Sequence, residues 1–294
     1  MARIALVTAR AAVGTDEDLE PLVDALVRAG MRADAPCWDD PDLVWGDFDL
    51  AVLRSPWDYV PRYTEFLGWL EHAEAHVPVL NHSAVVRWNT DKHYLADLAG
   101  RGVPVVPTDY FEPGGPPPQL AMHADEVVVK PAISAGSRDT MRHSDAGVAE
   151  QHVRSLLAAD RAVMVQPYLD GIDTYGETGL VYFDGVFSHA FRKAPILALD
   201  APPTDEFYAA EEITGREPTA DERRVADTTI ADCGGADLLY GRVDLVPGPD
   251  RQPLVLEVEL TEPSYFVAQA PASADRFAAA VQRRLVASTR TEQR

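Results

Sequence analysis

The chain has 294 residues, 46% of them hydrophobic, which is enough to build more than one core. Its 26 Lys and Arg stand against 47 Asp and Glu, and the resulting charge of −21 disfavours nucleic acid or anionic membrane as a partner; an anionic small substrate would need a local basic pocket. Cys37 and Cys233 lie far apart without metal-ligand spacing, which argues against a disulfide framework or a zinc site and fits a reducing cytoplasm.

No leading apolar run reads as a signal peptide, and no segment approaches the roughly 20 apolar residues of a membrane span, so an intracellular protein is expected. Residues 3–8 have the pattern of a buried strand, and Thr15 with Asp18 resembles a capping box opening a helix that stops at Gly30. Strand-like stretches at 32–37 and 50–53, an amphipathic helix over 62–76 and a strand over 77–80 continue the alternation. They predict an N-terminal, Rossmann-like α/β domain over residues 1–85 with a parallel sheet. The turn at 8–14 lacks GxGxxG, which argues against a dinucleotide site.

A second unit, 86–165, opens with Asn89 and Thr90 as a helix cap and a helix through Leu98, closed by Gly100 and Gly102. A strand at 103–106 and a Pro/Gly-rich loop at 112–118 follow. The strand 126–130 ends in Lys130, and the small residues after it, Gly136 and Ser137 among them, suit a mobile loop near an anion. A helix over 145–159 and a strand over 162–166 complete this unit. The third, 166–294, starts at Gln166-Pro167-Tyr168-Leu169 and carries strands at 178–183 and 186–192 that end beside Arg192 and Lys193. The segment 194–218, rich in Pro, Asp, Glu and Gly, reads as a lid or a disordered insertion.

Two strands joined by a turn come next, 241–246 and 254–260. Side chains on a strand alternate between faces, so Glu257 and Glu259 share one face. If antiparallel pairing sets Asp244 opposite either glutamate, Arg242 and Asp244 join that face, while Val243, Leu245, Leu256 and Val258 line the other. Two readings stay open for the charged face: a site for a hard cation, Mg²⁺ or Mn²⁺, or an acidic edge facing solvent. Lys92 and Lys130 upstream, with Arg192 and Lys193, add the distributed positive charge that a polyphosphate with its metal would require.

Taken in order, these segments resemble the ATP-grasp superfamily of carboxylate–amine ligases. Asn89-Thr90-Asp91-Lys92 with Gly102-Val103-Pro104-Val105-Val106-Pro107-Thr108 is similar to the first nucleotide lysine and its following strand; 127–138 is similar to the second lysine and the loop that covers the phosphates. Residues 163–169 with Asp173 are similar to the hinge whose backbone reads adenine and whose acidic residue holds the ribose. Arg242-Val243-Asp244 with Glu257-Val258-Glu259 is similar to the metal hairpin, except that Glu259 stands where asparagine is usual.

The resemblance implies an ATP-grasp fold, an α/β domain followed by two α+β subdomains that grip ATP. It implies ATP and Mg²⁺ (or Mn²⁺) as cofactors and Lys92, Lys130, Gly136, Ser137, Gln166, Tyr168, Leu169, Asp173 and Lys193 at the nucleotide. Asp244, Glu257 and Glu259 become the metal ligands, and Arg242 and Arg192 the groups that steady the transferring phosphoryl. Narrower likeness lies in 53–59 and 259–266, which resemble the ring-closing ligases of D-cycloserine biosynthesis. Such an enzyme phosphorylates the carboxylate of O-ureido-D-serine and lets the ureido nitrogen attack the acyl phosphate. In that setting Arg54 would bind the substrate carboxylate or ureido carbonyl, and Asp58 or Glu262 its ammonium. A dipeptide-type ligase sharing every nucleotide residue, or a nucleotide-binding module without catalysis, are the alternatives. Trp57 and Tyr59 read as packing between domains, and His189 as a sheet-face residue without a role.

Overall fold

The computed structural model describes residues 1–116, 118–120, 125–201 and 212–291. The N-terminal part is a four-stranded parallel sheet in the order β2-β1-β3-β4, built from β1 (Arg3–Thr8), β2 (Arg32–Asp34), β3 (Leu50–Ser55) and β4 (Val79–Leu80). Strands of a parallel sheet covered on both faces read as continuous apolar runs, and β1 and β3 do. Helix α1 (Leu19–Arg28) turns Leu22, Ala25 and Leu26 inward, and α2 (Tyr63–Glu74) does the same with Phe66, Leu70 and Ala73.

Short helices α3 (Ser83–Asn89) and α4 (Tyr94–Gly100) lead to a sheet ordered β5-β8-β6-β7, made of β5 (Asp109–Phe111), β6 (Val127–Pro131), β7 (Met141–His143) and β8 (Val163–Pro167). Every pairing in it is antiparallel. Helix α5 (Ala146–Ala158) covers it, started by the Asp145 carboxylate, which accepts from the Val148 amide at 2.9 Å. The third sheet runs β11-β10-β9-β12-β13. Its strands are β9 (Glu177–Phe183), β10 (Val186–Lys193), β11 (Ile213–Arg216), β12 (Tyr240–Pro247) and β13 (Pro253–Glu259); α6 (Gly171–Tyr175), α7 (Ala220–Asp232) and α8 (Ser273–Thr291) flank it.

The first and third sheets share a core: Ile4, Leu6 and Leu26 pack in one cluster with Phe183, Phe191, Tyr265 and Phe277. Tyr94, Leu95 and Leu98 of α4 join Val243, Leu245 and Val258 in a second cluster, so α4 rests on the third sheet. No helix among the described residues is long and apolar enough to cross a membrane.

Four local expectations change. Thr15 and Asp18 form no capping box, because the Thr15 hydroxyl donates to Ala12 and Asp18 turns to the backbone of 265–267. Asn89 and Thr90 end α3 instead of opening a helix. Residues 103–106 make only an isolated parallel bridge, Val105 to Val255. Within 194–218, residues 213–216 form β11, and residues 202–211 of the proposed lid lie outside the described residues.

Candidate active site

The hairpin β12–β13 pairs antiparallel with Arg242 opposite Glu259 and Asp244 opposite Glu257, which brings the charged side chains onto one face. The register slips between Asp244 and Leu245, so Leu256 has no partner across the strand. Past that bulge Leu256 packs with Val106, Leu169 and Val246 at the cleft lining, apart from the cluster of Val243, Leu245 and Val258 with which the period of two had grouped it.

Each carboxylate of this face meets a cation. Arg242 donates from Nε to Asp244 Oδ1 and from a terminal nitrogen to Asp244 Oδ2, both at 2.8 Å, and also pairs with Glu259. Lys193, at the end of β10, donates to Asp244 Oδ2 at 2.8 Å and lies 3.7 Å from Glu177. Lys92 lies 3.2 Å from Glu257 and donates to the Ser134 carbonyl at 2.7 Å. Lys130, next to last in β6, lies in the same cleft and is 8% exposed.

Burial and charge compete at these groups. Burial opposes ionisation of Asp244, but Arg242 and Lys193 outweigh it and hold the carboxyl down at about 2. Glu257 is likewise lowered, by Lys92 and Lys130 against burial. Glu259 goes the other way: burial pushes it up to about 7 despite Arg242. Burial, with the neighbouring Glu259, lifts Glu262 to about 8. Burial also lowers Lys130, against the pull of Glu257. Among the described residues no three His, Cys, Asp or Glu side chains gather in metal-binding geometry.

Apart from Asp244, these groups line one cavity of about 210 Å³ to which the second and third sheets contribute, with Trp57, Tyr59 and Val60 reaching it from beyond the end of β3. Lys92, Lys130 and the loop 134–138 form part of its lining, and Gly136 at φ 64 and Ser137 at φ 58 take the left-handed turn within that loop. Gln166 of β8, with Tyr168 and Leu169 just after it, lines the cavity together with an apolar group of Val106, Ile172 and Leu256. The Gln166 amide donates to the Thr108 hydroxyl at 2.9 Å, and Arg142 stacks 3.4 Å above the centre of the Tyr168 ring. Glu259, Glu262, Trp57 and Tyr59 close the remaining wall, with Trp57 Nε1 donating to the Glu262 carbonyl at 3.3 Å.

The structure therefore brings together Lys92, Lys130, Gly136, Ser137, Gln166, Tyr168, Leu169, Lys193, Arg242, Glu257, Glu259 and Glu262. Asp244 stands directly behind them, 2% exposed. It corrects four placements. Arg54 is wholly buried outside the cavity lining, its Nε donating to Asp16 at 2.8 Å, so it does not face a substrate there. Asp58 is engaged by Trp38 Nε1 at 2.8 Å and by Arg62 at 3.4 Å outside the cavity. Arg192 projects from the opposite face of β10 to Lys193 and donates to the Tyr175 carbonyl at 2.6 Å. Asp173 is off the cavity wall, accepting from the Tyr168 hydroxyl at 2.6 Å. Glu177 is a cavity residue that carried no sequence signal; it faces Lys193 only through the β9–β10 register.

Comparison with known proteins adds identity to this geometry. A profile of the N-terminal domain of D-cycloserine synthetase DcsG matches residues 4–81. The cycloserine biosynthesis protein DcsG of Streptomyces lavendulae is 40% identical over 304 residues, 97% of this chain and 99% of that protein. The crystal structure of D-cycloserine synthetase DcsG superposes with a TM-score of 0.87 at 38% identity, covering 97% of this chain and 100% of that one. The ATP complex of D-alanine–D-alanine ligase from Bacillus anthracis is similar in fold, with a TM-score of 0.68 at 16% identity over 99% of this chain and 100% of that one.

Proposed function

The chain belongs to the D-cycloserine synthetase family of ATP-grasp ligases, and from that premise we propose that it activates the carboxylate of O-ureido-D-serine as an acyl phosphate. The ureido nitrogen of the same molecule then attacks the activated carbonyl, phosphate leaves as the isoxazolidinone ring closes, and hydrolysis of the nitrogen–carbamoyl bond by one water releases the carbamoyl group as carbon dioxide and ammonia. The observation that carries this reading is the convergence of Lys92, Lys130, Lys193 and Arg242 with Glu257 and Glu259 in one cleft. Joining a carboxylate to a γ-phosphoryl group brings two anions together, and only a cluster of fixed positive charge offsets their repulsion without reorganising at the moment of reaction.

On this reading Lys92, Lys130 and Lys193 hold the phosphates, and the loop with Gly136 and Ser137 covers them. Residues 166–169 present backbone to adenine, with Leu169, Ile172 and Leu256 supplying apolar contact. Arg242 steadies the transferring group and the substrate carboxylate. Glu262, beside Trp57 and Tyr59, faces the substrate ammonium. The domains divide this work: 1–85 supplies Trp57 and Tyr59, 86–165 the two lysines and the loop, and 166–294 the hinge and the hairpin.

A divalent cation, Mg²⁺ or Mn²⁺, fits the donor set. Glu257 and Glu259 both line the cleft on one strand face, and carboxylate oxygens suit a hard ion. Asp244 already accepts from Arg242 and Lys193, but a carboxylate has about four lone-pair positions and keeps some in reserve. When bound, the ion would draw negative charge from the phosphate oxygens. The protein's own task is to keep water from the acyl phosphate while it lasts. A small amino-acid-like substrate and a cytoplasmic site of action accompany this proposal.

Incubation with ATP, Mg²⁺ and O-ureido-D-serine, followed by mass spectrometry, tests it. The expected products are D-cycloserine and ADP. ADP release only after a second amine is added would point to a dipeptide-type ligase, and nucleotide binding without turnover would point to a module that does not catalyse.

A further inference from the structure

The segment after β13 alternates between buried and cleft-facing residues. Pro263, Tyr265 and Val267 are buried off the cavity, whereas Glu262, Ser264 and Phe266 are half-buried and line it. Residues 260–266 belong to no helix or strand, so side chains of other elements hold their backbone. His189 Nε2 lies 2.7 Å from the Tyr265 carbonyl and the Tyr240 hydroxyl donates to the Thr261 carbonyl at 2.7 Å, and the N-terminal domain adds two further holds. Arg54, wholly buried, donates to the Pro263 carbonyl at 2.6 Å and sits 4.5 Å from the centre of the Tyr265 ring. Asp18, 5% exposed, accepts three successive amides: Tyr265 at 2.6 Å and Phe266 at 3.0 Å on Oδ2, and Val267 at 2.7 Å on Oδ1. Three amides in a row can converge on one carboxylate because Phe266 takes the left-handed conformation at φ 51. Arg54 lies 3.5 Å from Asp18 and 2.8 Å from Asp16, so one buried guanidinium sits between two carboxylates.

Neither Arg54 nor Asp18 lines the cavity. A buried ion pair is weak evidence for stability, since packed apolar residues of the same volume often serve as well. What apolar residues could not do here is grip a carbonyl and three amides. We propose that Arg54 and Asp18 are positioning residues: through the backbone of 263–267 they set how far the wall of Glu262, Ser264 and Phe266 stands from the reacting groups. Arg242 shares the arrangement, because it donates to the Ser264 carbonyl at 2.9 Å. The substrate's identity rests on the cyclo-ligase reading, whereas the grip on the wall rests on geometry alone.

Asp18→Asn and Arg54→Lys, each in the full-length chain, are compared with the unchanged protein by hydrogen exchange, by affinity for an ATP analogue and by kinetics with O-ureido-D-serine. Arg54→Lys keeps the buried charge and guards against a variant that merely fails to fold. Amides of 265–267 should exchange at least about tenfold faster while β12 and β13 stay protected. Substrate kcat/KM should drop at least about tenfold, with analogue affinity held within about twofold. Unchanged exchange at 265–267 in both variants would overturn the proposal. So would unchanged substrate kcat/KM, or analogue affinity lost in step with it, which is the mark of a purely structural joint. If the unchanged protein does not convert O-ureido-D-serine, the cyclo-ligase reading falls, and exchange still decides whether Arg54 and Asp18 hold the wall.

Discussion

Glu257 is lowered by Lys92 and Lys130 while it faces the cleft, so its charge is available at neutral pH on the side where phosphates would lie. Glu257→Gln keeps the volume and removes that charge. We expect a folded protein whose turnover drops at least about a hundredfold, the upper range for loss of even an outer residue of a metal site; ADP release and a melting curve check both halves. Arg192 supplies the contrast. It points away from the cleft toward the Tyr175 carbonyl, so Arg192→Ala should leave kcat within about twofold, as expected of surface substitutions away from the site. Both side chains sit on strands, yet only the hairpin's alternation was legible, because two strands close in sequence fix their mutual face and β10 needed β9 to reveal its own.

Titration at the same wall gives a further expectation. Glu259 and Glu262 titrate at about 7 and about 8 in the folded protein, whereas a glutamate in an unfolded chain does so near ~4.3. Between those values the folded state keeps protons that the unfolded state has lost, so stability falls as pH rises from roughly 4.5 to 8. Calorimetry of the nucleotide-free protein should show the midpoint dropping across that window, and Glu262→Gln should flatten the slope. Asp244 acts in the opposite sense: its stabilisation is present above the ordinary carboxylate range and disappears as pH falls toward about 2.

Among the elements, α3 and β13 are tied by one side chain. Asn89 donates to the Val258 carbonyl at 2.7 Å and accepts the Leu260 amide at 2.7 Å, all buried. Asn89→Ala leaves both backbone groups without that partner, and we expect a loss of about 2–4 kcal/mol in denaturant unfolding. From the sequence, Asn before Thr reads as a helix cap, since local propensity cannot know that a distant strand end lacks partners. The stretch 103–106 misleads in the same way, apolar and extended but paired only through Val105. The bulge at Leu256 is hidden too, because a period of two has no means of registering an extra residue. Long runs fared better: β6, β8, β9, β10 and α5 fall close to where their patterns place them.

For the whole molecule, the informative signal was order. Four weak segments in a fixed succession pointed to two α+β subdomains gripping one ligand, and the cleft draws on the sheets of both, with Trp57, Tyr59 and Val60 added from beyond β3. What the chain alone could not convey is how closely the first sheet is fused to the third through their shared core. Because the nucleotide would touch two of the sheets, a non-hydrolysable ATP analogue with Mg²⁺ should raise the melting temperature. At a hundredfold excess over Kd the gain is about 2.7 kcal/mol, and scans at rising analogue concentration would show it.

The pairs Lys92–Glu257, Lys193–Asp244 and Arg242–Glu259 carry one more consequence. In this state the cleft serves as its own counter-ion, and arrival of nucleotide is a swap of partners more than a neutralisation. If the lysines turn to phosphate, the glutamates are left with charge to place, and a divalent ion arriving with the nucleotide accepts it. ATP without the ion would strand those carboxylates, so the two should enter as one ligand.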